Sequence, residues 1–314
     1  MLYLYVETPL HAGTGAGLSS IDLPVQRERT TQYPMIQGSG IKGKLRFAAH
    51  QARVQDGSWI EDDIDIVFGP EGNGAAHAGA LIAGDARILL FPVRSLSGVF
   101  AYTTSCDVLN RFQRDMTRSG EQFTGLIEGL SQDEAHMAQV TRKVASVVVA
   151  DNALVLEEFS FQTTRNDQVD DIAHWIAEHA LPQTPAYAYW RRKLASSLVI
   201  LPENDFRDFV VHATEVITRV KIKRETKTVE GGALWTEEHL PVDTLLYVPI
   251  YATDARKMKS EKDGRNRPAM VATAVLKKAQ SLEESQNGYL QLGGDETVGR
   301  GMVRMHWDPR QKEN

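Results

Sequence analysis

Cysteine is almost missing from these 314 residues, and Cys106 is the only one. A single thiol makes no disulfide within the chain and no cysteine-rich metal site, so a reducing cytosol is the expected compartment. Cys106 itself reads as a small buried residue. Long apolar runs are also missing. No stretch approaches the ~18 residues that a membrane span needs, so no membrane partner is expected. The N-terminal MLYLYVETP has neither a basic leader nor a small-residue cleavage site, and it reads as a strand rather than a signal peptide. The third absence is an excess of positive charge. A net charge of −6 argues against a free-standing nucleic-acid binder.

What is present is a globular balance, 42% apolar and 24% charged, which can bury a core without staples. Positive charge is concentrated in two strips. Arg27, Arg29, Lys42, Lys44 and Arg46 meet only Glu28 within residues 26–46. Arg219, Lys221, Lys223 and Arg224 meet no acid within 217–224. An acidic body with basic strips suits a protein that grips phosphate in one place and other proteins elsewhere.

Periodicity gives a mixed set of elements. LYLYVE (2–7) reads as a central strand and YPMI (33–36) as a short extended piece. Ile41, Leu45, Ala48 and Ala52 recur at helical spacing, with Lys42, Arg46 and His50 on the adjacent face and Ser39 as N-cap. Residues 68–80 read as a turn-rich loop, 79–96 as one or two strands, 170–181 and 205–217 as helices. ITRVKIKR (217–224) alternates, with Val220 and Ile222 expected inside and Arg219, Lys221 and Lys223 on the other face. YVPIY (247–251) reads as a strand, 252–268 as a charged loop, 271–285 as a helix, and 290–307 as a glycine-rich loop and last strand. Irregular alternation of strands and helices favours an α+β class.

Two glycine clusters invite nucleotide readings. Gly13-Thr14-Gly15-Ala16-Gly17 has Leu18 where the dinucleotide fingerprint needs its third glycine. Gly38, Gly43 and Lys44 satisfy G-x-x-x-x-G-K, but Leu45 stands where magnesium needs a hydroxyl. A helix start with Lys42 and Arg46 one turn apart still suits phosphate. A tight turn with a solvated helix face fits these residues equally well.

The segments 7–46, FGPEGNGAAHAGAL, DARILLFPVRSLSGVFAYTT, VEGGALWTEEHLP and QLGGDETVGRGMVR, in that order, resemble the RAMP superfamily. Within it they are similar to the backbone subunits of type III-B CRISPR (Cmr) effector complexes. The resemblance implies an α+β fold with a ferredoxin-like (RRM-type) core, insertions and a protruding thumb β-hairpin. It implies one RAMP domain over 1–314 with inserted helical or lid segments, and a thumb at about 223–241. The implied partners are a CRISPR guide RNA, complementary target RNA and further copies of the chain in a helical filament. Other Cmr subunits are implied too: the large polymerase-like subunit, small subunits, and guide 5′-end-binding and capping RAMP subunits. The implied activity is a metal-dependent endoribonuclease that cuts target RNA at regular intervals beside each thumb, leaving 2′,3′-cyclic phosphate and 5′-OH ends. A structural RNA-binding subunit without chemistry and the related type III-A backbone subunit are the alternatives.

The family's loop aspartate falls on Asp22 and its nearby histidine on His11. Its phosphate motif falls on Gly38, Ser39, Gly40, Lys42 and Arg46. Its thumb glutamate falls on Glu237, and a tyrosine two residues later is replaced here by His239. RNA carries its own nucleophile, the 2′-OH. Asp22 suits an Mg²⁺ or Mn²⁺ ligand, because such ions prefer oxygen donors and water. Arg94, Arg219, Lys221, Lys223 and Arg300 are the other candidate phosphate contacts, and Leu234 and Trp235 the candidate apolar residues of the thumb tip. Each has a plainer alternative. Asp22 could cap a turn, His11 could be a core histidine, Glu237 and Glu238 could be solvated, and Trp235 could pack in the core.

Overall fold

The computed structural model describes residues 1–15, 21–71, 77–123, 127, 130, 137–256 and 270–308, with backbone alone at 230–233. In chain order these form β1 (Leu2–Val6), β2 (Met35–Ile36), α1 (Gly38–Gln55), α2 (Glu61–Phe68), β3 (Leu81–Ala83), β4 (Ala86–Arg94), β5 (Phe100–Ser105) and α3 (Cys106–Arg118). Next come β6 (Met137–Thr141), β7 (Ala153–Leu156), β8 (Phe159–Asn166), α4 (Asp167–His179), α5 (Ala188–Ser197), β9 (Leu198–Leu201) and α6 (Glu203–His212). The chain ends with β10 (Glu215–Ile222), β11 (Val229–His239), β12 (Leu245–Val248), β13 (Ile250–Ala252), α7 (Ala272–Ser285), β14 (Tyr289–Gln291) and β15 (Met302–Trp307). The α+β class is as the sequence implies. Gly17 and Leu18, the middle of the 68–80 loop and most of 252–268 lie outside the described residues.

One sheet runs β14-β15-β1-β12-β4-β5-β9-β6-β8-β7, with β2 paired to β4. β1 is apolar throughout because all five of its residues are buried. It is antiparallel to both neighbours, with Tyr3 opposite Tyr247 on β12 and His306 on β15. α1 connects β1 towards β4, α7 connects β12 towards β15, and the two helices contact each other. Gln286, just after α7, donates to the Ala48 carbonyl at 3.3 Å.

The chain between β4 and β12 lengthens the large sheet with β5, β9, β6, β8 and β7 and also holds β10 and β11. Aromatic rings weld it to β12. Phe112 of α3 lies 4.9 Å from Tyr247 of β12 and 5.0 Å from Phe123, which lies 4.7 Å from Trp175 of α4. Such tilted contacts each add about 0.5–1.5 kcal/mol beyond burial. Asp115 is buried among them, yet it is paired. It accepts from Arg87 at 2.6 Å and from the Tyr247 hydroxyl at 3.1 Å.

Several local expectations need correction. α1 begins at Gly38, and Ser39 lies inside the helix rather than capping it. The acceptor comes from elsewhere in the chain: the Gly38 N–H donates to Asp85 Oδ1 at 2.8 Å. Only glycine fits there, since a Cβ at Gly38 would lie 2.4 Å from the Ala83 carbonyl oxygen. The helix expected over 205–217 stops at His212, and Glu215 already starts β10, where Val216, Ile217, Thr218 and Val220 favour extended backbone. The strand expected over 247–251 breaks at Pro249 into β12 and β13. Helices α2, α3 and α5 were not legible.

β10 and β11 form their own antiparallel pair outside the large sheet. The strands reach further than 223–241 suggests, and the turn is at 223–228, between Ile222 and Val229. Trp235 and Leu234 are therefore not at the tip; they pair with Arg219 and Val220 well along the strands. The faces are also reversed. Val220 and Ile222 are 42% and 57% exposed, whereas Arg219 is half-buried. Alternation fixes that two faces exist but not which is covered. Here the covered face is the one where Arg219 meets acids.

Candidate active site

Side chains alternate along the end of β11. Trp235, Glu237 and His239 share one face, and Thr236 and Glu238 the other. Glu237, Glu238 and His239 are 4%, 2% and 1% exposed, so the two glutamates are not solvated. Glu238 is fully used by the fold. It pairs with Arg27, and accepts from Thr214 Oγ1 at 2.8 Å and the Val25 N–H at 2.9 Å. These bonds draw the segment 21–25 alongside β11. There Leu23 bridges Glu237, receiving 3.0 Å backbone bonds in both directions: its N–H donates to Thr236 O and its carbonyl accepts from Glu238 N.

Asp22 is consequently held at the strand edge, exposed. Its Oδ2 accepts from the Thr236 N–H at 2.8 Å and the Thr236 hydroxyl at 3.0 Å. Those two bonds hold its carboxyl below the ordinary aspartate pKa, so it is ionised at neutral pH. Among the described residues Oδ1 makes no hydrogen bond.

His11 enters from the end of β1. Its Nδ1 lies 2.7 Å from the Glu238 carbonyl, which can only accept, so Nδ1 carries a proton and Nε2 is left for other chemistry. Glycines clear space for it. A Cβ at Gly13 would lie 2.5 Å from His11 Nε2, and one at Gly293 2.1 Å from the His11 carbonyl oxygen. The first glycine cluster thus serves, in part, to seat His11. The His11 and His239 rings are 5.4 Å apart.

The loop beyond Gly293 supplies a residue that sequence reasoning missed, Asp295. It adopts a left-handed conformation with φ 62°. Arg219 Nη1 lies 2.8 Å from Glu237 Oε2 and 2.7 Å from Asp295 Oδ1. Glu237 Oε1 accepts from Trp235 Nε1 at 2.7 Å. Burial alone would raise the Asp295 carboxyl, but the hydrogen bond and positive charge of Arg219 hold it below its ordinary value. Burial, then His11 and Arg300, push His239 below the ordinary histidine pKa against the opposing pull of Glu237 and Asp295, so its ring is neutral. Its Nε2 lies 3.9 Å from both carboxylates. The only signal for Asp295 in the sequence was an acid between glycines in LGGDETVGRG.

The other candidates are spread around this centre. Lys42 is half-buried, and burial and Arg46 lower its pKa. Arg46 lies 3.7 Å from Asp65 and 3.6 Å from Glu71, and His50 also faces Glu71 at 3.6 Å. Ser39, Gly40 and Gly43 are exposed, and among the described residues a Cβ at Gly43 would meet nothing within 4 Å. Lys44 reaches Glu296 at 4.0 Å, so α1 borders the Asp295 loop. Arg94 meets acids, Glu157 at 2.8 Å and Glu158 at 3.0 Å. Lys221 and Lys223 are exposed near the hairpin turn, and Arg300 is half-buried beside the cluster.

Known proteins share this architecture. The RAMP superfamily model matches residues 3–304. The CRISPR system Cmr endoribonuclease Cmr4 of Pyrococcus furiosus is 38% identical over 306 residues, covering 96% of this chain and 93% of that protein. The CMR subunit Cmr4 of Saccharolobus solfataricus is 27% identical, covering 97% and 95%. The crystal structure of oligomeric Cmr4 from Pyrococcus furiosus superposes with a TM-score of 0.67 at 30% identity, covering 97% of this chain and 95% of that one. With its model matched nearly end to end, the chain belongs to the RAMP superfamily.

Proposed function

We infer that this chain is the backbone subunit of a type III-B CRISPR complex, binding guide RNA in a filament of like subunits and cutting complementary target RNA. The observation that carries the reading is the convergence of His11, Asp22, Glu237 and His239 at the base of one hairpin, in a chain 38% identical to a protein named an endoribonuclease. The strand order β15-β1-β12-β4, with α1 and α7 as the connecting helices, supports a ferredoxin-like core within one RAMP domain. The separate hairpin β10–β11 supports a thumb.

In this reading the ribose 2′-OH attacks its own phosphate. The P–O5′ bond breaks, and the products are a 2′,3′-cyclic phosphate and a 5′-OH. Holding the 2′-OH in line supplies several kcal/mol, up to about 7–11 in ideal cases. His11 Nε2 is oriented by the Nδ1–H bond to Glu238 and handles the proton. Asp22 is exposed, ionised and has one uncommitted oxygen, which fits an ion that keeps most of its water. An Mg²⁺ or Mn²⁺ ion held there would neutralise charge on the scissile phosphate. Guide phosphates lie against the start of α1, where Gly40 and Gly43 leave the helix surface bare beside Lys42. Lys221, Lys223, Arg300 and Trp235 lie on or beside the hairpin and line the RNA path. Arg46, Arg94 and Arg219 are partly neutralised by acids and contribute less.

The test is an assembled complex incubated with end-labelled complementary RNA, with and without EDTA. A regular ladder that EDTA abolishes supports the reading, and intact RNA in the presence of Mg²⁺ and Mn²⁺ contradicts it.

A further inference from the structure

Three side chains at the hairpin base form a second ligand set, apart from Asp22. We propose that Glu237, His239 and Asp295 bind one divalent transition-metal ion, of the class of Mn²⁺, Co²⁺ or Zn²⁺, and that Arg219 is its built-in competitor. One ligand atom from each of the three lies within 4.8 Å of the others. His239 is the decisive member. It is 1% exposed, and neither ring nitrogen has a hydrogen-bond partner among the described residues. Buried polar atoms are nearly always satisfied, and an orphan asks for a ligand. Its Nε2 lies 3.9 Å from Glu237 Oε2 and from Asp295 Oδ2, facing both carboxylates.

Arg219 shows that this place attracts a cation. A single guanidinium nitrogen bridges Glu237 Oε2 at 2.8 Å and Asp295 Oδ1 at 2.7 Å. A dication offers twice the charge to the same oxygens and can also coordinate the imidazole lone pair, which Arg219 leaves without a hydrogen bond. Donors at ~2.0–2.2 Å from one ion sit roughly 3–3.5 Å apart, so the His239 contacts must close by about half an ångström. The Asp295 loop carries glycine at 293, 294 and 299, which suits that adjustment. One imidazole with two carboxylates favours first-row transition ions over Mg²⁺. The site is also distinct from Asp22, whose carboxylate is tied to Thr236. It does not rest on the cleavage reading, because it forms without RNA.

The experiment titrates the purified full-length chain, free of RNA, with Co²⁺ followed by visible d–d absorption. The expected result is one saturable ion per chain. His239→Phe and Asp295→Asn should each weaken binding about 10- to 100-fold. Arg219→Gln should tighten it several-fold, and Asp22→Asn should leave it within about twofold. Circular dichroism and melting establish that each variant folds. Should His239→Phe not fold, the wild-type chain loaded with Mn²⁺ must show electron–nuclear coupling to an imidazole nitrogen. Absence of a saturable Co²⁺ band, full affinity in folded His239→Phe or Asp295→Asn, weaker binding in Arg219→Gln, or a Mn²⁺ complex without nitrogen coupling would each overturn the proposal. Metal binding in a chain whose complex fails to cut RNA would leave it standing and remove only the cleavage reading. Loss of Co²⁺ binding in Asp22→Asn alone would move the ion to Asp22.

Discussion

Asp22 and Thr236 hold each other by three hydrogen bonds. Asp22 Oδ2 accepts from the Thr236 N–H and hydroxyl, and the Asp22 N–H donates to the same hydroxyl at 3.0 Å. Thr236 is thus a positioning residue for Asp22. Thr236→Val keeps the volume and the backbone bond but loses both hydroxyl bonds. Target cutting should fall about tenfold, since small misplacements of a reacting group are costly. Thr236→Ser should restore it. Equal cutting by the Val and Ser variants would show that the hydroxyl does not position Asp22.

Gly40 and Gly43 lie in the exposed first turns of α1, where nothing among the described residues needs a bare backbone. A Cβ at Gly40 would meet only Ile36 Cγ2 at 3.8 Å. Gly→Ala at either site should raise stability by roughly 0.5–1 kcal/mol in urea unfolding. Guide-RNA affinity should nevertheless drop several-fold if, as proposed, RNA approaches that surface. Higher stability with unchanged affinity would make this an ordinary helix face.

Gly38 is the contrasting case. Gly38→Ala places a methyl group 2.4 Å from the Ala83 carbonyl oxygen and 2.9 Å from Gly84. Backbone must move, and overpacking of this kind costs about 1–3 kcal/mol. An unfolding midpoint equal to that of the wild type would contradict the tight seat of α1 on the 83–85 turn.

The pH dependence of stability reports on His239. Its folded pKa lies below the unfolded value of ~6.5, so the unfolded chain binds that proton more readily. The stability contributed by the neutral ring is complete above about pH 6.5 and is lost as pH falls toward the folded pKa. Asp22 and Asp295 are also lowered, but their window lies below about pH 4 and does not overlap. His239→Phe should flatten the slope of unfolding free energy between about pH 7 and 5, by at most ~1.4 kcal/mol per pH unit. An identical slope would show that His239 titrates freely.

Much of this was legible in the chain itself. The apolar run of β1, the helical spacing of Ile41, Leu45 and Ala48, and the basic alternation of β10 are local patterns, and each matches an element of the expected kind, although β10 starts and ends two residues earlier than its pattern suggests. His11, Asp22, Glu237 and His239, which the fold brings to the base of one hairpin, are candidates that an ordered set of motifs singles out. The failures share a physical cause. Gly38 is capped by Asp85 and Arg219 is neutralised by Asp295, partners far along the chain that no local window contains. The exposure of Val220 and the burial of Glu237 depend on which face of a hairpin meets the body, and a period of two is silent on that. Asp295 was missed because a loop aspartate between glycines looks like any turn residue until the fold brings it to Glu237.

The measurement that tests the account most directly is cutting by a reconstituted complex in which every backbone subunit carries Asp22→Asn. Asparagine keeps the shape of the side chain and loses its charge. The account predicts normal assembly, normal guide and target binding, and no cleavage ladder on end-labelled complementary RNA. A ladder of the usual spacing at the wild-type rate would contradict it.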